Sequence, residues 1–343
     1  MNHTLLVGAV TLLIGFGSAD LAWAAVQRGQ ATLSWIAIGA SARDAAMGGT
    51  AVFTDQDASA AFQNPAGLGR LQRGNVFVNR TQWLADMAIN DIAVAYRLPN
   101  IGTLAVAVRT IDYGEFKFTA IDATNPQGYR DLPADTVGTP GGFVVGLAYG
   151  RKLTDKFTVG GQVKYASDRL GKMNVLEQQT VKTGSEAKIS GFLLDFGTNY
   201  NTGFKSLNIS MAIQNFGSEK GASNGRGEFT APLTFKVGLS ANVLEFAGME
   251  DAPMSLLVRA EGTDPRDARE GLNLGTELKF MPMSGIYAAA RAGMATRQDD
   301  GGMSFGLGVG GTVGPVQAAV DYAYSDYGSI LGGVNRIGVS VSF

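Results

Sequence analysis

The chain ends in the stretch Asn335-Arg336-Ile337-Gly338-Val339-Ser340-Val341-Ser342-Phe343. Apolar side chains fall on every second position from Ile337 onward, and small or polar residues lie between them. Such alternation predicts a β-strand with one apolar face. In a barrel of the bacterial outer membrane that face meets lipid, and a terminal aromatic lies at the membrane interface. A soluble sandwich would turn the same face toward its core, so this stretch alone leaves both architectures open.

The first residues predict export. Leu5 to Phe16 is an apolar run, and Ala22-Trp23-Ala24 fits a small-x-small cleavage site before Ala25. The run is shorter than the ~20 residues that a membrane-spanning helix needs, although no Lys or Arg precedes it. We therefore expect residues 1–24 to be a signal peptide that is removed, and the mature chain to reside in the cell outer membrane.

Composition excludes several kinds of chemistry. The 343-residue chain has no cysteine, and its one histidine, His3, lies in the expected signal peptide. The mature chain would then lack a Cys nucleophile, a Ser-His-Asp triad and the usual histidine metal sites. Lys plus Arg (28) nearly equals Asp plus Glu (30), so nothing suggests a nucleic-acid partner. The sequence therefore predicts a protein that is not an enzyme and has no cofactor, catalytic residue or metal site.

From Asn75 onward, segments of alternating polarity are separated by turn residues. In one segment Phe192, Leu194 and Phe196 share a face, while Asp195 and Gly197 share the other. The segments have roughly the ten-residue length of a membrane strand. The predicted strands are residues 75–83, 87–98, 101–111, 143–151, 156–168, 188–200, 206–216, 232–243, 253–261, 271–280, 285–295, 302–312, 315–325 and 333–343.

Loop lengths help to choose between the two architectures. Tight joints, such as that at Pro99-Asn100, alternate with longer polar stretches, such as residues 112–142. This alternation is typical of an outer-membrane barrel. Two connections depart from it, since 84–86 is short where a long loop is due and 244–252 is long where a turn is due. With the export signal and the terminal aromatic, the pattern favours an all-β fold, a transmembrane antiparallel β-barrel of about fourteen strands.

A segment without strand alternation precedes the barrel. Residues 42–47 are expected to form a short helix ended by Gly48-Gly49. Residues 57–62 are expected to form a second helix that ends before a proline. We expect residues 25–73 to be a small N-terminal helical plug and residues 74–343 to be the barrel.

Charged residues on the predicted lumen side permit two interpretations. They could line a polar passage or hold the plug, or they could pair with one another and fill the lumen, since such interiors are polar in any case. Near the plug, Asp55 and Asp57 could bind a cation such as calcium, although Asp57 also suits the N-cap of the second helix. The lumen set comprises Arg97, Arg109, Lys164, Asp168, Asp195, Glu261, Glu277, Lys279, Arg291 and Asp321.

Aromatic residues are expected to mark the membrane interfaces. Phe343 should anchor the last strand there and form part of the assembly signal read by the barrel assembly machinery. The partner of the barrel wall would be outer-membrane lipid. The expected belt residues are Trp83, Tyr96, Tyr200, Tyr322 and Tyr324.

Three parts of the sequence resemble the PorV/PorQ branch of the FadL superfamily. Residues 42–49 and 57–68, which include the motif Asn64-Pro65-Ala66-Gly67-Leu68, are similar to the N-terminal plug of that branch. Ile213-Gln214-Asn215-Phe216-Gly217 is similar to its mid-barrel signature. Asp321-Tyr322-Ala323-Tyr324 resembles its penultimate strand. The resemblance extends over essentially the whole mature chain.

The resemblance implies a fourteen-stranded outer-membrane barrel with an N-terminal plug, and it leaves two functions open. FadL relatives pass hydrophobic compounds such as long-chain fatty acids through the barrel wall, whereas PorV relatives carry exported proteins with the type IX secretion machinery. We expect transport of hydrophobic small molecules, with a fatty-acid-like ligand. The alternative is a partner or cargo-shuttle barrel of a type IX-like secretion or surface-attachment machine, with secretion proteins as partners. The expected ligand contacts are Ile38, Met47, Phe53, Phe62 and Leu68.

Overall fold

Fourteen antiparallel strands form one closed barrel, which confirms the predicted fold class. The strands are β1 Asn75–Gln82, β2 Ala88–Leu98, β3 Gly102–Asp112, β4 Gly141–Lys152, β5 Phe157–Lys172, β6 Glu186–Asn201, β7 Asn208–Gly217, β8 Thr234–Asn242, β9 Met254–Pro265, β10 Gly271–Met283, β11 Ile286–Ala295, β12 Met303–Val313, β13 Val316–Asp326 and β14 Gly333–Ser342. The barrel closes where β1 pairs with β14, with Asn75 opposite Ser342.

The computed structural model describes residues 31–54, 57–114, 119–121, 124–131, 140–172, 175–177, 180–182, 186–217, 220–221, 228–229, 231–296 and 302–343. The expected signal peptide and Asp55 lie outside the described residues.

The outside of the barrel is apolar and its inside is polar. Leu147 and Leu307 on the outer face are 60% and 65% exposed, whereas Asp91 and Glu261 on the inner face are 0% exposed. A soluble protein rarely buries carboxylates while it exposes rows of large apolar side chains. The arrangement is the one that a lipid-facing barrel needs, and it answers the question that periodicity alone left open.

The two ends of the barrel differ in their connections. At the end that holds the C-terminus, residues 284–285 join β10 to β11, and we call this the short-turn end. At the opposite, long-loop end, residues 113–140 join β3 to β4. The two departures predicted from the sequence are present. A tight turn with positive φ at Ala85 and Asp86 lies at the long-loop end, and a short helix, Val243–Phe246, lies at the short-turn end.

Some strands are longer than predicted at the long-loop end. β5 and β6 extend into the predicted loop 169–187, and β9 extends into the predicted loop 262–270. Ladder pairing continues there, for example between Thr263 of β9 and Lys236 of β8. Beyond the membrane neither face of a strand has to be apolar, so the alternation that predicts strands fades before the ladder ends.

The N-terminal segment forms the predicted helical plug inside the barrel. Its elements are the helices α1 (Ala42–Ala46) and α2 (Ala60–Gln63) and three 3-10 turns, Ser34–Ala37, Ala51–Phe53 and Pro65–Arg70. Gly48 and Gly49 after α1 both have positive φ, which ends the helix as predicted. Among the described residues, no helix is both long and apolar enough to cross a membrane.

Phe343 lies at the junction between plug and barrel. Its backbone N–H donates to the carbonyl of Gly74 at 3.0 Å, and a Cβ on Gly74 would lie 2.8 Å from its ring. Since the ring packs at this junction and is half-exposed, we expect deletion of Phe343 to lower the amount of folded barrel, whereas Phe343→Tyr should have a mild effect. Gel migration of unboiled and boiled membranes measures the folded fraction. Unchanged amounts after the deletion would contradict a role of Phe343 in assembly.

Candidate functional site

The plug crosses the lumen from the long-loop end to the short-turn end. At the long-loop end, Trp35 donates its indole N–H to Asp168 of β5 at 3.2 Å. Further down, α1 packs against β12 and β13, and the turn Ala51–Phe53 packs against β7 and β8. At the short-turn end, the turn Pro65–Arg70 packs against β4, β5 and β6.

The motif Asn64 to Leu68 is fully buried and fixes the last turn of the plug. The Asn64 side-chain oxygen accepts from the N–H of Ala66 at 3.1 Å and caps the turn that Pro65 begins. Its amide donates to the carbonyl of Val52 at 2.8 Å. Gly67 is required by a close approach rather than by an unusual φ, because a Cβ there would lie 1.9 Å from the Thr54 carbonyl oxygen.

Glycines in the barrel wall make room for this motif. A Cβ on Gly160 of β5 would lie 2.3 Å from the Pro65 carbonyl carbon, and a Cβ on Gly197 of β6 would lie 1.8 Å from the Asn64 side-chain oxygen. The wall and the plug are therefore in backbone contact at the short-turn end.

Gly197→Ala is expected to destabilise the seated plug, because the added methyl group needs the space of the Asn64 side chain. Overpacking of this kind typically costs about 1–3 kcal/mol. The measurement is the temperature at which the folded gel band is lost. Gly191→Ala is the matched control, since Gly191 lies on the same strand and a Cβ there meets nothing within 4 Å. Equal effects of the two substitutions would contradict the close approach.

Ion pairs attach the plug to the wall in the middle of the lumen. Arg43 of α1 donates from Nε and Nη2 to Glu277 of β10, both at 2.8 Å. Arg291 of β11 donates to the same carboxylate at 2.6 Å. Asp44 accepts from Arg259 of β9 at 2.9 Å. All five of these side chains are buried, so the pairs are shielded from water.

The charged residues of the lumen therefore do both: some hold the plug, and others pair with one another. Arg97, Arg109, Asp168, Glu261 and Glu277 bind plug atoms directly. Other pairs lie within the wall, namely Lys164 with Asp195 at 2.7 Å and Arg291 with Asp321 at 2.7 Å. Lys279 lies 4.0 Å from the ring centroid of Tyr287.

A bulge in β7 explains the Gln-Asn pair of the mid-barrel signature. The register between β6 and β7 shifts between Leu194 and Phe196, and Asn215 has a positive φ of 60°. Two successive side chains thereby point into the lumen. Gln214 donates to the carbonyls of Phe62 and Gln63 in the plug, and Asn215 accepts from Lys164 at 2.6 Å. The sequence alone did not predict this bulge, although Asn is a residue type that tolerates positive φ.

Asp57 does not cap the second helix, and that expectation is wrong. Ser59 is the N-cap of α2, and the Asp57 carboxylate accepts from the N–H and hydroxyl of Ser59, which turns the chain before the helix begins. Burial raises the pKa of Asp57 to about 6. Within the described part of the chain, no cluster of three or more His, Cys, Asp or Glu could hold a metal ion.

A cavity of about 360 Å³ lies between plug and wall at the long-loop end. Of the five expected ligand contacts, Ile38 lines it. Met47, Phe53 and Leu68 are buried in packing contacts, and Phe62 packs beside them against Arg109. Their contact with a ligand therefore stays a prediction.

Trp83 also lines this cavity, so its expected place in an aromatic belt is wrong. Its ring lies 5.4 Å from that of Tyr327 and under the guanidinium of Arg336. It follows the end of β1 and continues the inward-facing positions Asn79 and Thr81 of that strand. Tyr96, Tyr200, Tyr322 and Tyr324 are exposed, as belt residues should be.

A second cavity of about 400 Å³ lies at the short-turn end, between β10 and β13. Lys279, Tyr287 and Gln317 are among its lining residues, and none of its lining residues is shared with the cavity at the long-loop end. The pairs around Glu277 lie on the same strands, nearer the middle of the barrel.

A closed fourteen-stranded barrel with an apolar outer face and an internal plug defines an outer-membrane β-barrel. Residues 25–247 match the family model described as type IX secretion system protein PorV. The chain belongs to this family. No curated protein sequence matches the chain.

Solved structures of outer-membrane barrels share the fold. The chain is similar to the Pseudomonas putida toluene transporter TodX, at 10% identity and a TM-score of 0.55, over 87% of this chain and 96% of that chain. It is similar to the CymD monoaromatic hydrocarbon channel, at 12% and 0.51, over 89% and 98%. It is also similar to a Pseudomonas aeruginosa FadL homologue, at 11% and 0.53, over 89% and 97%. At these identities the likeness concerns the fold alone, and the proteins named are secretion and transport proteins rather than enzymes.

Proposed function

We propose that this protein is a plugged outer-membrane barrel that serves as a partner or cargo-shuttle component of a type IX-type secretion machine. Membership in the PorV family supports this proposal, because the family model is named for a component of that machine. The observation that carries it is the anchoring of the plug. Arg43 and Asp44 on α1 are each ion-paired to the barrel wall.

Given this geometry, we rank the secretion role ahead of transport, which reverses the order expected from the sequence. A passage for hydrophobic compounds needs apolar plug side chains that face open space. Met47, Phe53 and Leu68 instead fill packing positions within plug and wall. Because the plug is fixed, a partner protein can reach the long-loop face and its cavity more readily than a compound can pass through the lumen.

Transport of hydrophobic small molecules, including a fatty-acid-like ligand, is the second candidate. It is favoured by the likeness to the structures of a toluene transporter and a monoaromatic hydrocarbon channel. It is also favoured by Ile38 and Trp83, which give the cavity at the long-loop end apolar walls.

Mass spectrometry of gently extracted protein separates the two candidates. The tagged barrel is purified in mild detergent, and an unrelated barrel with the same tag from the same cells is the control. The proposed function predicts that exported proteins or secretion components co-purify with this barrel and not with the control. A bound lipid or aromatic compound without such proteins would overturn the proposal in favour of transport.

A further inference from the structure

The cavity at the short-turn end is lined by hydrogen-bond donors and, among the described residues, by no acid. Its volume is about 400 Å³, and the charged residue that lines it is Lys279 of β10. Tyr287 of β11, Thr312 of β12 and Gln317 of β13 add two hydroxyl groups and an amide. Within the described part of the chain, none of these four side chains makes a hydrogen bond to another residue. Their donors are therefore free to bind a ligand that enters from this end.

Lys279 forms no direct ion pair with any described residue. Two carboxylates attract its ammonium group from beyond ion-pair distance, and two guanidinium groups repel it. Both carboxylates are already held by these guanidinium groups at 2.6–2.8 Å, and neither lines the cavity. The four residues are Glu277, Asp321, Arg43 and Arg291. The positive charge at the cavity therefore lacks an anionic partner of its own.

Gly310 of β12 fixes the place of the Tyr287 ring in this cavity. A Cβ on Gly310 would lie 2.4 Å from the ring and 2.6 Å from its hydroxyl oxygen, so the tyrosine lies against bare backbone that a side chain would cover. The Lys279 ammonium nitrogen lies 4.0 Å from the centroid of the same ring. Such a contact holds a cation in place without neutralising it. The ring thus positions a hydroxyl donor and a cation beside each other.

We propose that the cavity at the short-turn end binds a phosphate group. Lys279 supplies the positive charge, and Tyr287, Thr312 and Gln317 donate to the phosphate oxygens. A tetrahedral phosphate accepts from several directions, and lysine suits it as a point charge, whereas a planar carboxylate is matched best by the forked donors of arginine. The phosphate belongs either to a soluble ester or to a phospholipid headgroup at this end of the barrel, because both present the same chemistry. The inference goes beyond the proposed function and does not depend on it, since binding is measured on the purified barrel alone.

Calorimetry on the full folded barrel, in a maltoside detergent that carries no phosphate, tests the inference with matched probes. Glycerol 3-phosphate is expected to bind, glycerol is not, and acetate is expected to bind much more weakly than the phosphate. Lys279→Met should weaken binding of the phosphate on the order of tenfold, and Tyr287→Phe about fivefold, as the loss of a charge-assisted and of a neutral hydrogen bond implies. Lys279→Arg keeps the charge and should retain most of the affinity. Lys152→Met is the control, because Lys152 is an exposed lysine at the same end that does not line the cavity.

Dihexanoylphosphatidylglycerol, a short-chain lipid that is soluble as a monomer, distinguishes the two sources. Tighter binding of glycerol 3-phosphate than of this lipid assigns the site to soluble esters, and the reverse order assigns it to headgroups. Absence of binding by both phosphate probes would overturn the proposal. So would equal binding of glycerol 3-phosphate and acetate, or unchanged affinity in both Lys279→Met and Tyr287→Phe. The folded gel band of each variant shows beforehand that the barrel is intact.

Discussion

Glu277→Gln is expected to loosen the plug from the barrel wall. The Glu277 carboxylate pairs with Arg43 of the plug at 2.8 Å and with Arg291 of the wall at 2.6 Å, and all three side chains are buried. Glutamine keeps the shape of the side chain but removes the negative charge that Arg43 and Arg291 share, and Arg291 then keeps only its pair with Asp321. Removal of one partner of a buried pair costs about 3–5 kcal/mol. We expect the folded gel band to be lost at a lower temperature and current bursts to appear in planar bilayers.

Glu250→Gln is the matched control for this substitution. Glu250 also pairs with a cation, Lys205 at 3.5 Å, but both side chains are solvent-accessible at the short-turn end. Exposed pairs contribute about 0–1 kcal/mol, so this variant should behave like the wild type. If Glu277→Gln matches Glu250→Gln in both measurements, the ion pairs of Glu277 do not hold the plug.

Deletion of residues 36–70 is expected to convert a closed barrel into a conducting one. These residues contain both helices of the plug and the turn Pro65–Arg70, which packs against β4, β5 and β6. Without them the polar lumen of a fourteen-stranded barrel would fill with water. Single-barrel conductance in planar bilayers should rise from near zero to a stable open level, and small polar solutes should cross the membrane faster.

The deletion also leaves wall cations such as Arg259 and Arg109 without their plug partners. A boiled and an unboiled sample therefore have to be compared first, to establish that the shortened chain still forms a barrel. A folded variant that conducts no more than the full chain would show that the segment does not block the lumen.

The strands could be predicted from the sequence because their physics is local. Two neighbouring strand residues face lipid and lumen in turn, so Ile92 and Asp91 differ in polarity wherever the strand lies within the membrane. Turn residues and loop lengths also predicted where most strands end. The prediction failed where this alternation stops, as at Gly262 to Pro265 of β9, which lack a row of apolar side chains and still pair.

The site could be predicted only in outline. The motif at Asn64 and the polar lumen were evident in the sequence, but the partner of each charge depends on which strand faces which plug residue. Arg43 and Glu277 are 234 positions apart, and no local pattern connects them. Asn215 was missed because a one-residue bulge reverses the face that period-2 counting assigns. Trp83 was placed in the belt although the same counting, continued from Asn79 and Thr81, puts it on the inner face.

The central claim is that the N-terminal segment is seated in the barrel lumen, and a disulfide tests it most directly. The chain has no cysteine, so an introduced pair is the only thiol pair present. The Cβ of Ala42 on α1 lies 3.6 Å from the position of a Cβ on Gly338 of β14, which is close to the ~3.8 Å of a disulfide. Ala42→Cys with Gly338→Cys should cross-link in outer membranes under mild oxidation. Ala42→Cys with Gly191→Cys, whose wall position on β6 meets nothing within 4 Å, should not. Absence of the first cross-link, or equal formation of both, would contradict the seated plug.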